Sequence, residues 1–375
     1  MHESNPVIRM MGAAFRTRRL LAVVAWTAAF LLTAEAAVRV RAWVRRGETG
    51  TQQDIYESDP QLGRVIKAGA VSRVGDAKTT INKWGLRGPD FDMEKAPGVT
   101  RVLCLGASTT FGQPDDDDAE IWTTRLSEQL NAAHDGRRFE VLNGAVPGYT
   151  VTQSLDNFRR SLARFKPDVV VVCHAATDLA AHTRRQFGGK SAISHGLPSL
   201  SRYMEGVSLV YELTKANTAF LRAGQFRRNR NRRVDQRGIE RFEQSLSDLI
   251  AECQKTHAQV IVCTFARAFS ADQSPSTRAK LAATACYFNP QLTVDGLIDA
   301  YERYNDAIRL AANERGARLA DADQRIPKEK ACFRDSIHFS PLGHERMAHL
   351  VAEQISALPT QPLTQARIDS PNAVQ

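Results

Sequence analysis

A serine held at the end of a buried strand can attack a carbonyl if a base is brought to it, and the stretch Arg101–Gly112, RVLCLGASTTFG, has that form. The apolar run Val102–Leu105 ends at Gly106, and a turn of small residues then presents Ser108 ahead of Thr109, Thr110 and Phe111. This is the pattern of a strand, a tight turn and a helix. Serine is a weak nucleophile at neutral pH and needs a general base, usually an imidazole steered by a carboxylate. Near the far end, Cys332–His344, CFRDSIHFSPLGH, sets Asp335 three residues before His338. At that spacing the carboxylate can reach the ring within one turn and fix its tautomer, leaving the other nitrogen for Ser108. The plainer readings are a helix N-cap for Ser108 and a structural or surface role for His338, with His344, Asp321 and Asp323 as fallback partners.

Two more blocks lie between these stretches, NGAVPGYT (Asn143–Thr150) and AATD (Ala175–Asp178). Four short blocks in this order, within roughly Ile81–Leu358, resemble the SGNH/GDSL hydrolase family. The resemblance implies Ser108 as nucleophile, His338 as base and Asp335 as its orienter. It also implies an oxyanion hole made by the N–H of Ser108, a second-block glycine and an asparagine. The matching glycine is Gly148, with Gly144 as the alternative, and the asparagine position holds Thr177. No metal and no organic cofactor is implied, and the substrate is an acyl ester of a glycan or lipid, an O-acetyl group on envelope polysaccharide among them. A polysaccharide O-acetyltransferase would use the same residues.

The chain departs from the family pattern twice. Ala107 replaces the aspartate of the GDS block, which is not a triad member. Thr177 replaces the asparagine, and a threonine hydroxyl is a shorter donor than an amide. Losing one oxyanion donor costs on the order of 100- to 1000-fold in rate, so His174 or a residue of the basic segment is the substitute donor to consider. A catalytically weakened envelope scaffold or binding protein is the reading that this departure favours. Asn82-x-x-Gly85-x-Arg87-Gly88 resembles a segment that precedes the nucleophile in many tethered members, and its plainer reading is a turn packed on the core's edge.

Positioning these residues is the task of the rest of the chain, whose 375 residues and 43% hydrophobic content suffice for a full core. Strand-like runs at Val102–Leu105, Phe139–Leu142, Val169–Cys173, Val260–Thr264 and Ala317–Ala320 alternate with helical periodicity. Trp122, Leu126 and Leu130 mark one helix, and Leu155, Phe158 and Leu162 a second. Ile239 to Cys253 mark a third, Leu297 to Ala311 a fourth stopped by Gly316, and a last one opens at Ser340-Pro341. Strands apolar on both faces with crossover helices predict a three-layer α/β/α sandwich around a five-stranded parallel sheet. The resemblance makes this the flavodoxin-like SGNH hydrolase fold. Sites in such folds lie beyond the carboxyl ends of the strands, where Ser108, Gly148 and Asp178 should converge.

Ahead of the core, Leu20–Val38 is nineteen residues broken only by Glu35. As a helix it would reach roughly 28 Å, close to bilayer hydrocarbon thickness. It reads as an N-terminal transmembrane helix, or a cleaved signal ending near Ala34-Glu35-Ala36, although Arg39, Arg41, Arg45 and Arg46 just beyond would burden translocation. The expected division is 1–46 as cytoplasmic tail and anchor, 47–97 as an extension packing on the core, 98–358 as the hydrolase domain and 359–375 as a disordered tail. The catalytic domain is expected outside the cytoplasm, in the periplasm.

The net charge of +9 resides in one place, because residues 182–237 hold twelve Lys or Arg against three Asp or Glu and the remainder sums to zero. This basic insert suits an anionic lipid surface, an acidic polysaccharide or plain solvation; with no recognition motif or interleaved aromatics, nucleic acid is not expected. Asp115–Asp118 reads as a solvated acidic loop, not a calcium site, since no spaced ligand pattern accompanies it. The six cysteines contain no C-x-x-C pair, so neither zinc nor a disulfide framework is suggested, and a Cys286–Cys332 bond is left open.

Overall fold

The computed structural model describes residues 6–46, 55–74, 76–113, 115–132, 136–187, 210 and 233–358. Packing separates two units, Met1–Gln53 with His195–Leu221, and Asp54–Ser194 with Arg222–Gln375. In the first, helix α1 (Pro6–Arg46) contains the apolar window Leu21–Arg41, with a mean hydropathy of 1.9 and its large apolar side chains exposed. Several polar groups in that window have partners. Thr27 and Thr33 donate to the carbonyls of Val23 and Ala29, while Glu35 pairs with Arg39 at 2.8 Å and accepts the N–H of Val210.

The second unit opens with two antiparallel hairpins, β1 (Tyr56–Asp59) with β2 (Gly63–Ile66) and β3 (Val71–Val74) with β4 (Ala77–Thr80). The αβ core follows as β5 (Val99–Gly106), α2 (Ser108–Phe111), α3 (Trp122–Ala132), β6 (Arg138–Asn143), α4 (Val151–Asn157), β7 (Val169–Cys173) and α5 (Ala176–Gln186). It continues with α6 (Gln236–Lys255), β8 (Gln259–Cys263), α7 (Pro275–Leu281), α8 (Ala283–Phe288), α9 (Val294–Glu314), β9 (Arg318–Ala320), α10 (Ala322–Arg325) and α11 (Pro341–Ser356). The five strands are all parallel, in the order β6-β5-β7-β8-β9.

Successive strand side chains point to opposite faces, and here both faces are buried. Leu103, Leu105, Val170, Val172, Val260 and Val262 pack with α4, α6 and α9. Val102, Cys104, Val169, Val171, Ile261 and Cys263 pack with α3 and α11 on the other side. The result is the three-layer sandwich predicted from the alternation of strand and helix. Local chemistry sets the helix starts: Ser340 caps α11 with Pro341 at its first position, as expected, and Thr150, Asp235 and Thr293 cap α4, α6 and α9. Cys286 lies in α8 and Cys332 is fully buried, and no disulfide joins them.

Numbered within the sheet alone, the strand order is 2-1-3-4-5, the flavodoxin-like doubly wound order, which reverses direction between its first and third strands, β5 and β7. Ligands in such sheets bind outside the carboxyl ends at that switch point. Residues 182–186 of the basic segment form the end of α5, Arg237 lies in the first turn of α6, and most of the segment, with the tail 359–375, lies outside the described residues.

Candidate active site

Strand β5 delivers the site through a turn that only glycine admits. A side-chain carbon at Gly106 would stand 2.2 Å from Thr110 Oγ1 and 2.8 Å from the Cys173 carbonyl. With Gly106 in place, Ala107 takes the N-cap position and Ser108 becomes the first residue of α2, so the Ser108 hydroxyl is not used as a cap. Its Oγ lies 2.9 Å from His338 Nε2. On the other side of the ring, His338 Nδ1 lies 2.7 Å from Asp335 Oδ2. Asp335 Oδ1 accepts the backbone N–H of Ile337 and of His338, which fixes the carboxylate against the loop that carries the histidine. With Asp335 as acceptor, Nδ1 holds the proton and Nε2 is free to accept from the serine. Burial works to raise the Asp335 carboxyl, but the hydrogen bond and charge of His338 and the two backbone N–H groups outweigh it and hold it below its ordinary value.

Gly148 lies in a turn closed by Tyr149 N–H on the Val146 carbonyl, with a φ of 85° that favours glycine. Gly144 donates its N–H to the Cys104 carbonyl and so has none to offer a substrate. Thr177 is half-buried at the second position of α5. Asp178 accepts the Val151 N–H at 3.0 Å, tying α5 to the start of α4. His174 is buried and bonded through Nε2 to Ser154 Oγ. Asp321 and Asp323 pair with Arg309 and Arg267.

His344 joins a second cluster that overturns the reading of Asp115–Asp118 as a solvated loop. Its Nδ1 accepts the Trp122 N–H, and its Nε2 lies 3.2 Å from Asp116 Oδ2. Asp116 is 1% exposed. Arg334, one residue before Asp335, pairs with both Asp115 and Asp116 at 2.9 Å. Asp117 and Asp118 accept the N–H groups of Lys78 and Thr80 in β4. These carboxylates clamp the Ser108 side of the site to its His338 side.

The chain matches the GDSL-like lipase/acylhydrolase family over residues 104–346, more than half its length. It belongs to that family. A GDSL-type enzyme is an ester hydrolase, and the block order read from the sequence agrees with the assignment. No curated protein matches the sequence. Among solved structures, the lipase/acylhydrolase from Enterococcus faecalis is 16% identical, with 70% of this chain and 100% of that one covered and a TM-score of 0.43. LAE5, an alpha/beta hydrolase enzyme from the Lake Arreo metagenome, is 16% identical, with 72% and 100% covered and a TM-score of 0.45. A variant of Axe2, an acetyl xylan esterase from Geobacillus stearothermophilus, is 16% identical, with 70% and 97% covered and a TM-score of 0.41.

Sequence reasoning did not assign two residues that hold the serine's helix in this GDSL hydrolase. Asn143, in the second block, donates through its amide to the carbonyls of Thr110 and Phe111 and to Thr123 Oγ1. Arg87, fully buried, donates to the carbonyls of Phe111 and Asp116 and pairs with Asp118 at 2.8 Å. Together they satisfy carbonyls at the end of α2, a helix too short to settle them itself. The Asn82–Gly88 segment carried the signal for Arg87, but a turn packed on the core's edge does not convey its reach into the site.

Proposed function

We propose that the chain is a serine esterase in which Ser108 is the nucleophile, His338 the general base and Asp335 the group that orients it. The support is the 2.9 Å contact between Ser108 Oγ and His338 Nε2, with Asp335 on the far nitrogen. The Ser108 proton passes to Nε2 as Oγ bonds to the ester carbonyl carbon, and the carbonyl electrons move to oxygen. The N–H groups of Ser108 and Gly148, with the Thr177 hydroxyl, receive that oxyanion at the start of α2, where the helix end favours negative charge. Collapse expels the alcohol, which takes the proton from His338 and leaves an acyl-serine. Water then gives a proton to His338 as it attacks the acyl carbon, and collapse of that adduct releases the acid while Ser108 Oγ takes the proton back from His338.

The substrate we propose is an acyl ester, O-acetyl included, on an envelope glycan or lipid. Helix α1 serves as a single anchor, with the hydrolase domain outside the cytoplasm and the extension 47–97 completing the site through Arg87. A fluorophosphonate probe tests the chemistry: wild type should label and Ser108→Ala should not, with the folded fraction followed by circular dichroism. Folded wild type that fails to label, or equal labelling of both, overturns the esterase reading and leaves a scaffold.

A further inference from the structure

Resting on the esterase reading, we infer that Arg64, in the first hairpin ahead of the sheet, is a positioning residue for catalysis. Its guanidinium sets the direction of the Gly148 N–H, which that reading gives to the oxyanion. Val146, Pro147, Gly148 and Tyr149 form a four-residue turn, closed by the Tyr149 N–H on the Val146 carbonyl, with Gly148 at a φ of 85°. Proline second and glycine third at positive φ is the type II form. The type I form differs from it by a flip of the peptide between those two residues, and glycine tolerates both. That peptide carries the Pro147 carbonyl and the Gly148 N–H, which a trans bond points in opposite directions. Whatever holds the carbonyl therefore aims the N–H.

Arg64 holds the carbonyl. Its Nη2 donates to Pro147 O, and a side-chain carbon on Gly148 would stand 2.5 Å from that same nitrogen, so the guanidinium lies against the turn. The Arg64 carbonyl accepts the Tyr149 hydroxyl at 2.6 Å, so this one residue grips the turn on both sides of Gly148. The guanidinium carbon sits 4.7 Å from the centre of the Tyr56 ring. Gln153 on the Leu62 carbonyl at 3.0 Å and Arg160 on Asp59 at 2.8 Å fasten the rest of the hairpin to the helical segment that follows the turn. The Val146 N–H donates to the Gly106 carbonyl, two residues before Ser108, which ties the turn to the nucleophile's strand. Gly148 is exposed and its N–H has no acceptor among the described residues, so a substrate oxygen can take it. A cation on the carbonyl also polarises the peptide and strengthens that N–H as a donor.

The test uses the full chain in detergent. Arg64→Ala should lower kcat on p-nitrophenyl acetate by at least about tenfold with KM little changed, because the oxyanion forms only in the transition state and a misplacement of about 1 Å can cost 100-fold. Arg64→Met, which keeps an aliphatic stem over Tyr56 and loses the donors, should lose as much and serves if the alanine variant folds poorly. Arg64→Lys, still a cation able to donate to one carbonyl, should recover part of the loss. Guanidinium ion at millimolar concentration should raise kcat of Arg64→Ala and not of wild type, a response that a merely structural role would not give. An unchanged kcat, a loss confined to KM, or a loss that neither lysine nor guanidinium restores in part overturns the inference, while wild type that labels with the fluorophosphonate probe keeps the esterase reading. Wild type that neither labels nor turns over ester overturns both.

Discussion

On the proposed assignment of the oxyanion hole, Thr177 is the residue whose identity most affects the expected rate. The family places an amide donor where this chain has a hydroxyl on a shorter stem, and one oxyanion donor is worth on the order of 100- to 1000-fold. Thr177→Asn should therefore raise kcat on p-nitrophenyl acetate, by about 10- to 100-fold, with little change in KM, since the oxyanion forms only in the transition state. Steady-state kinetics decide it, and an unchanged kcat would mean that Thr177 does not face the oxyanion. Its neighbour Asp178 gives a pH prediction. Asp178 Oδ2 and His174 Nδ1 are buried 3.7 Å apart, and neither has a hydrogen-bond partner. Burial pushes the Asp178 carboxyl up to about 7, against the opposing pull of the Val151 N–H, and pushes the His174 imidazole down to about 3. Both groups thus favour their neutral forms. An acid with a raised folded value loses stability as pH climbs from its unfolded value to its folded one, at about 1.4 kcal/mol per pH unit. Asp178→Asn keeps the acceptor for Val151 and cannot ionise. It should match wild type in Tm near pH 4, exceed it increasingly up to about pH 7 and hold that lead above; a constant difference from pH 4 to pH 8 would remove the titration argument.

At the scale of elements, the site is a turn, a four-residue helix and a loop, and none of these is stable alone. Arg87, from a segment before the sheet, fixes the end of α2 and the acidic loop together. Removing one member of a buried ion pair leaves the other partners unsatisfied, at a cost of about 3–5 kcal/mol. Arg87→Ala should lose about that much in urea unfolding and take most of the esterase activity with it, and Arg87→Lys should recover little, since one ammonium cannot span the same set of acceptors. A variant that unfolds like wild type would show that the clamp is incidental. The sheet, five of its helices and the start of the last one were legible because period-2 and period-3.6 patterns and a Ser-Pro helix start are local signals. Ser108, Asp335 and His338 could be singled out because a sharp turn and a three-residue spacing are also local. The Arg87 and Asp116 clamps were not, since each joins residues distant in sequence, and a run of four aspartates looks solvated until its partners in β4 and α11 are brought to it.

For the whole molecule, the question is what holds the hydrolase where it works. The apolar window Leu21–Arg41 of α1 is 21 residues long, about 32 Å as a helix, which matches a hydrocarbon core of about 30 Å. The hydrolase core packs as a unit of its own, and domains with their own core can in principle fold alone. The full chain should therefore sediment with membranes and need detergent for release, whereas a chain lacking residues 1–53 should be soluble and keep kcat/KM on p-nitrophenyl acetate within about threefold. The basic segment 182–237, with its twelve cations against three anions, is the competing proposal for the tether. Cations near an anionic surface contribute about 1 kcal/mol each and lose that attraction as the Debye length falls to about 3 Å at 1 M salt. Truncated protein that stays on vesicles containing phosphatidylserine and washes off at 1 M salt would assign the tether to that segment. Full-length protein that is soluble without detergent would remove α1 as an anchor altogether.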